Sequence, residues 1–306
     1  MIKYYKSVNG SIKELRKPKP RCWIDVFSPN EKELAELSKL VKIPVSEFKM
    51  ALDEDERPRI DIGKNFTLFI LRLPFVQKEN EIETSPIGIF LTKNYTITVH
   101  LYYTGYVKPI FEPSKNMPIE NKTEFILYIL SQTIKSYFQV LGKIEKQIDM
   151  IEDEVVKNPR NIIIEKMADI KRTLIFFYRS LIANRVVVLS MIEKNILFID
   201  KKRVEDMKDI HTEIFQLLDM TITYRDLLKG SMDSYSSIVS NKVGETVKIL
   251  TVITAILTIP LLITGFWGMN ISLPFGSDPN AFTFLVVLLL ASMIGTLSIF
   301  KLKNWL

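Results

Sequence analysis

The stretch Lys248-ILTVITAILTIPLLITGFWGMNISLPFGS-Asp278 carries no charged side chain between its two ends. Its apolar part, Ile249 to Trp267, is long enough, as a helix rising about 1.5 Å per residue, to cross a hydrocarbon core ~30 Å thick. A second uncharged run, Ala281 to Phe300, is followed at once by Lys301, Lys303 and Trp305. The connection from Gly268 to Asn280 holds no Lys or Arg, whereas Lys242, Lys248, Lys301 and Lys303 lie on the opposite flank. Cationic flanks are retained on the cytoplasmic side. A multi-pass protein of the cell inner or plasma membrane, with both termini in the cytoplasm, is therefore expected. The competing reading, a buried helical hairpin in a soluble protein, gives no reason for charge-free runs of this length with lysines at their ends.

Upstream of the first span, Ile210, Ile214, Leu217, Thr221, Tyr224, Leu228, Ser231, Tyr235 and Ile238 recur in steps of three and four, a near-heptad seam. No proline falls between Pro159 and Pro260. The spacing predicts one helix from about Val204 to Trp267, on the order of 95 Å long. Its residues 204–247 form a stalk and 248–268 the first span. At helical spacing Asp233, Ser237, Ser240, Gly244, Val247, Thr251, Thr254, Thr258 and Gly265 share one face. Two readings of the threonines stay open: a polar pathway, or a packing surface whose hydroxyls bond the helix's own carbonyls. Two spans cannot enclose a polar pathway, but several copies around an axis can. If the face lines that axis, Val247 and Leu250 form an apolar constriction able to gate by dewetting.

The rest of the chain reads as soluble. Charged residues make up 25% of the sequence although mean hydropathy is positive, so the apolar residues are concentrated in the two runs. Residues 1–115 alternate short β-rich runs with one helical pattern, as in a small α/β domain. Strands are predicted over Cys22–Phe27, Phe66–Leu73, Ile87–Leu91 and Thr96–Leu101, with Asn30 capping a helix through Leu40. Residues 116–203 form a helical hairpin that turns at Asn158-Pro159. Residues 269–280 are the external loop, 281–300 the second span and 301–306 a basic cytoplasmic tail. The fold class is α+β.

Several function classes are excluded. Cys22 is the single cysteine, and with only His100 and His211 beside it no Cys/His zinc cluster can be built. Both histidines are expected to be structural. The net charge of +6 is spread along amphipathic helices, which argues against nucleic acid as a partner. The acidic run Asp53-Glu54-Asp55-Glu56 reads as a solvated turn. The start of the chain shows no secretory h-region. No nucleophile, phosphate loop or paired catalytic carboxylates stand in a supporting context, so no enzyme activity and no organic cofactor are expected.

Directly after the first span stands Trp267-Gly268-Met269-Asn270. This resembles the aromatic-Gly-Met-Asn signature of the CorA family of Mg2+ transporters. The likeness extends to the two C-terminal spans, the stalk segment Ser240-Asn241-Lys242, the Glu56-Arg57-Pro58-Arg59 stretch and the closing Lys303-Asn304-Trp305-Leu306. It implies a funnel-shaped homopentamer embedded in membrane lipid, with an inner pore-lining span and an outer one. It makes Gly268, Met269 and Asn270 the selectivity filter, Asp233 an acidic ring, and Mg2+ both transported and regulatory ion. Asp209 matches a family position for regulatory Mg2+, with Glu79 or Glu81 as candidate partner. Passage of Co2+ or Ni2+ is also implied. Departures are Trp267 for the usual Tyr, Thr258 for a bulky apolar residue and Gly244 for Asn. Two alternatives stand beside this reading: a ZntB-type Zn2+ transporter, against which Met269 argues, and a non-conducting membrane-tethered scaffold or sensor. In a Cys22→Ser background, Ser277→Cys should react with a membrane-impermeant maleimide added to intact cells, and Lys303→Cys only after lysis. The reverse labelling pattern overturns the orientation.

Overall fold

The computed structural model describes residues 1–8, 11–76, 82–102, 110–111, 113, 117–157, 161–194, 196, 201–270, 278–303 and 305. They form two compact units, Met1–Met232 and Asp233–Leu306.

The first unit is built on a seven-stranded sheet. Its strands are β1 (Ile2–Val8), β2 (Ser11–Leu15), β3 (Cys22–Phe27), β4 (Arg59–Ile62), β5 (Phe66–Val76), β6 (Ile82–Thr92) and β7 (Tyr95–His100). They lie in the order β2-β1-β3-β7-β6-β5-β4, with β3 and β7 parallel and every other neighbouring pair antiparallel. Two helices, α1 (Glu31–Val41) and α2 (Val45–Met50), cover one face through Leu34, Leu37 and Phe48, which join Ile24, Leu68, Ile70, Phe90, Ile97 and Val99 in one core. Two long helices, α3 (Lys122–Lys157) and α4 (Asn161–Lys194), pack on β5, and α4 also on β4 and β6. With both faces covered, β5 and β6 are buried along most of their length instead of on alternate residues.

Local chemistry sets the boundaries. Asn30 caps α1 as predicted: its side chain accepts from the Glu33 N–H while the Glu33 carboxylate accepts from the Asn30 N–H, a reciprocal capping box. A Cβ on Gly88 would stand 2.4 Å from that of Ala51, so glycine is what lets the end of α2 approach the sheet. β3 has the predicted bounds, and β7 differs by one residue at each end. β5 and β6 are longer than predicted and absorb Pro74 and Pro86. Pro86 pairs with Arg72, one residue beyond the last β6 pairing with β7 at Ile87, so its missing N–H leaves no ladder bond unmade on that side. β1, β2, β4 and α2 were not predicted. His100 is structural as expected: buried, with its ring nitrogens 2.8 Å from the Tyr102 carbonyl and 3.0 Å from Asp25 Oδ1.

The predicted long helix is α5 (Lys201–Trp267), unbroken at Pro260, and the second apolar run is α6 (Ala281–Leu302). Within the first unit, the seam residues Ile210, Ile214, Leu217, Thr221, Tyr224, Leu228 and Ser231 are all buried. Ser231 Oγ donates to Glu152 of α3 at 2.9 Å, and Arg185 of α4 donates through Nε to His211 Nε2 at 3.0 Å. Burial, reinforced by a hydrogen bond to Glu145, pushes the Tyr224 phenol up to about 12.

Among the described residues three helices are long and apolar enough to cross a membrane: α4, α5 and α6. The most apolar window of α4 is 39% buried within the chain, against 6% for those of α5 and α6. Polar bonds also tie α4 to the sheet. Ser180 and Thr84 share a 2.8 Å hydroxyl bond, and Thr173 donates to the Ile82 carbonyl at 3.1 Å. Asn184 does more. Strand β4 begins at Arg59, opposite Ile70, and leaves Arg72 of β5 without a strand neighbour on that side. There the Asn184 amide accepts from the Arg72 N–H at 2.9 Å and donates to the Arg72 carbonyl at 2.8 Å, replacing the missing strand. Tyr137 also donates to that carbonyl. Asn184→Leu should therefore orphan the buried N–H alone, lowering unfolding stability by about 1–3 kcal/mol in denaturant titrations followed by Trp23 fluorescence. An unchanged midpoint would show that the amide does not hold the edge.

Candidate ion pathway

Every residue proposed from sequence to line a pathway lies on the C-terminal half of α5 and is exposed in the single chain: Asp233, Ser237, Ser240, Gly244, Val247, Leu250, Thr251, Thr254, Thr258 and Gly265. The covered positions of the same segment are others. Val252 is buried, and Lys248, Ala255, Ile256, Ile263 and Trp267 are half-buried. At about 100° per residue these lie roughly opposite the threonines. On α6 the covered positions Ala281, Leu285, Leu289, Ser292, Thr296 and Phe300 likewise form one face. The threonine face is thus distinct from the surface already covered within this unit.

The hydroxyls on that face have a common geometry. Thr251, Thr254 and Thr258 each donate to the carbonyl four residues back, at 2.8, 2.8 and 2.7 Å. Ser237 does the same to the Asp233 carbonyl at 3.0 Å. Back-bonding is common to both readings of a threonine stripe. Its chemical consequence is that the single proton is occupied, so the oxygen offers only lone pairs to a neighbour. Such a row accepts hydrogen bonds from ion-bound water without presenting a charge. Val247 and Leu250, 55% and 62% exposed, interrupt the polar row at its N-terminal side. A Cβ built at Gly244 or Gly265 meets nothing within 4 Å, so neither glycine is demanded by packing inside the chain.

Gly268, Met269 and Asn270 end the helix and are exposed. The Gly268 N–H donates to the Thr264 carbonyl at 2.9 Å and the Met269 N–H to the Phe266 carbonyl at 3.3 Å. Sequence reasoning missed Thr264. Pro260 has no N–H for the Ile256 carbonyl. One turn later the Thr264 hydroxyl bonds the Pro260 and Leu261 carbonyls at 3.1 and 3.0 Å. Thr264 therefore holds the turn after the proline and receives the first residue of the motif. The signal was present as a Pro followed by Thr at the fourth position.

Asp209 is exposed on the N-terminal part of α5, while Glu79 and Glu81 lie outside the described residues. Among the described residues no group of three or more His, Cys, Asp or Glu side chains could hold a metal ion within one chain.

The sequence matches the family described as CorA-like Mg2+ transporter protein over residues 19–302. The Cobalt/magnesium transport protein CorA of Methanocaldococcus jannaschii is 32% identical over 290 residues, which span 93% of this chain and 91% of that protein. The complete structure of the CorA magnesium transporter from the same organism is similar with a TM-score of 0.84 at 28% identity, covering 100% of this chain and 99% of that one. The ZntB cytoplasmic domain from Vibrio parahaemolyticus is similar in fold alone, with a TM-score of 0.58 at 12% identity over 78% of this chain and 98% of its own. The match along nearly the whole length, in sequence and in structure, makes this chain a member of the CorA-like Mg2+ transporter family, whose proteins are ion transporters and not enzymes.

Proposed function

We propose that the protein is an uptake channel for hydrated Mg2+, open also to Co2+ and Ni2+, formed by five copies around the threonine face of α5. The observation that carries this reading is that face: exposed, distinct from the covered surface of its unit, and lined by hydroxyl oxygens whose protons are already spent. Mg2+ gives up its waters reluctantly, so neutral acceptors that bond the hydration shell suit it better than ligands that must replace that shell. In this reading α5 from Ile249 to Trp267 and α6 are the two membrane spans, both termini are cytoplasmic and α6 faces lipid. Five Asn270 carboxamides, with the Gly268 carbonyls and Met269 behind them, form the external filter. The ion then passes Gly265, Thr258, Thr254 and Thr251, the Leu250 and Val247 constriction, Gly244, Ser240, Ser237 and finally a ring of Asp233 carboxylates that concentrates cations.

The driving force is the membrane potential. At ~2.3 kcal/mol per charge, a divalent ion gains about 4.6 kcal/mol per 100 mV crossed, so the transport needs no organic cofactor. Closure is assigned to cytoplasmic Mg2+ held between copies. Asp209 would supply one carboxylate from α5, with Glu79 or Glu81 of a neighbouring copy as candidate partners.

The test is Mg2+ uptake into proteoliposomes under an inside-negative potential. Uptake should be lost in Asn270→Ala and should slow as trapped Mg2+ rises in the native protein but not in Asp209→Asn. A native protein that carries Zn2+ with a proton gradient, and no Mg2+, would replace this reading with the ZntB-like one. No flux of either ion would leave a tethered scaffold.

A further inference from the structure

Two clefts in the first unit contain several charged groups, and they differ in how those groups are matched. The groove between the start of β6 and helices α3 and α4 has a volume of about 280 Å³. Its cations are paired: Lys166 lies 3.9 Å from Glu154 and Arg172 3.3 Å from Glu83. The second cleft, about 360 Å³, lies between the acidic turn after α2, strands β5 and β6, and the middle of α4. Three guanidiniums line it, from Arg57, Arg72 and Arg179.

Arg72 is held entirely by neutral oxygens. Its Nη1 donates to the Glu54 and Glu56 carbonyls at 2.7 and 3.0 Å. Its Nη2 donates to the Thr84 carbonyl at 2.5 Å and its Nε to the Thr84 hydroxyl at 3.2 Å. A guanidinium has five N–H groups, so one on Nη2 is left over. Burial pulls this guanidinium below its ordinary value, with Arg179 acting the same way and the Asp55 and Glu54 carboxylates acting against it. Arg57 and Arg179 are exposed, and neither side chain has a hydrogen bond or ion pair among the described residues. The lining carboxylates are Asp55 and Glu56, and Glu56 is bound to Arg59 outside the cleft. The lining therefore sets three guanidiniums against two carboxylates, one of them already bound to Arg59, and guanidiniums suit planar, bidentate contact with phosphate oxygens. Tyr178 and Phe176 add aromatic surface to the same wall.

We propose that this cleft binds a phosphate-bearing anion of mononucleotide size, its phosphates on Arg57, Arg72 and Arg179 and its remaining part against Tyr178. The volume is within the roughly 300–1,000 Å³ of small-molecule sites. Arg72 anchors because the Glu54–Glu56 turn and Thr84 hold it, whereas Arg57 and Arg179 close on the ligand from the solvent side.

The experiment is calorimetric titration of the full chain in detergent micelles with inorganic phosphate, tripolyphosphate and ATP, at low ionic strength and with EDTA present. Saturable binding is expected, tightest for ATP; equal affinity for ATP and tripolyphosphate overturns the placement against Tyr178. Arg57→Gln and Arg179→Gln, both at exposed positions whose side chains make no hydrogen bond or ion pair among the described residues, should each weaken binding about tenfold. Lys166→Gln, in the paired groove, should leave it unchanged. Absence of saturable binding, or binding indifferent to both arginine variants, overturns the proposal. So does a fall in oligomer mass in those variants with no change in affinity, which would assign the guanidiniums to contacts between copies.

Discussion

A backbone in hydrocarbon has no water to satisfy it, and in the proposed reading, where Ile249 to Trp267 is a membrane span, this requirement governs α5. From Ile249 to Trp267 each peptide group must find its partner within the helix, and the sequence complies with one exception, Pro260. The helix continues through that exception because only one carbonyl, that of Ile256, loses its donor. The Thr264 hydroxyl consolidates the next turn, and the helix closes at Gly268 and Met269 with its own carbonyls as acceptors. The same back-bonding that quiets the threonine protons inside the span exposes their lone pairs. Structural need and the proposed chemistry of the face are served by one geometry.

In the first unit α5 is held differently. There the helix is fixed by tertiary packing of one stripe, from Met207 through Leu228 and Ser231, with polar ties at His211, Tyr224 and Ser231. Each tie reaches a different long helix or a different level of the same one, so the register of α5 against α3 and α4 is specified at several points. Helix α4 is in turn fixed to the sheet by Asn184, Ser180 and Thr173. A slip of α4 by one turn would leave the Arg72 N–H without its acceptor and break the Thr84–Ser180 hydroxyl bond in a dry interior, which opposes sliding more strongly than apolar contact alone.

Much of this was legible from residue pattern. The seam of α5 and the exposed threonine face both follow from helical spacing, and the capping box at Asn30 from residue type. The failures have definite causes. Pro74 and Pro86 look like strand ends, and only the pairing shows that Pro86 lies beyond the reach of β7. β4 alternates charged and apolar residues but over only four positions, and β1 mixes Lys and Tyr with its apolar residues, so neither carries a period of two long enough to read. α4 is apolar enough to pass for a membrane span by composition. What distinguishes it is burial against the sheet, a tertiary fact. Arg72 was illegible for another reason: its partners are chiefly backbone carbonyls from three separate positions, which no side-chain motif announces.

Where charge stands along α5 bears on how the proposed channel would treat a divalent ion. A carboxylate within the span would bind such an ion strongly enough to slow its departure, and would be expensive to keep ionised in hydrocarbon when the ion is absent. The span has none: from Ile249 to Trp267 its pathway face carries hydroxyls, glycine and apolar residues but no charged side chain. The first acid on that face is Asp233, about four helical turns before Val247, in the stalk, where water can solvate it whether or not an ion is near. Attraction is thus placed where it does not trap the ion, and the low-dielectric stretch is left to acceptors that can exchange one hydrated ion for the next. The apolar Val247 and Leu250 separate the two zones. A closed state then needs no charge to be moved, only the loss of water between side chains that hold it weakly.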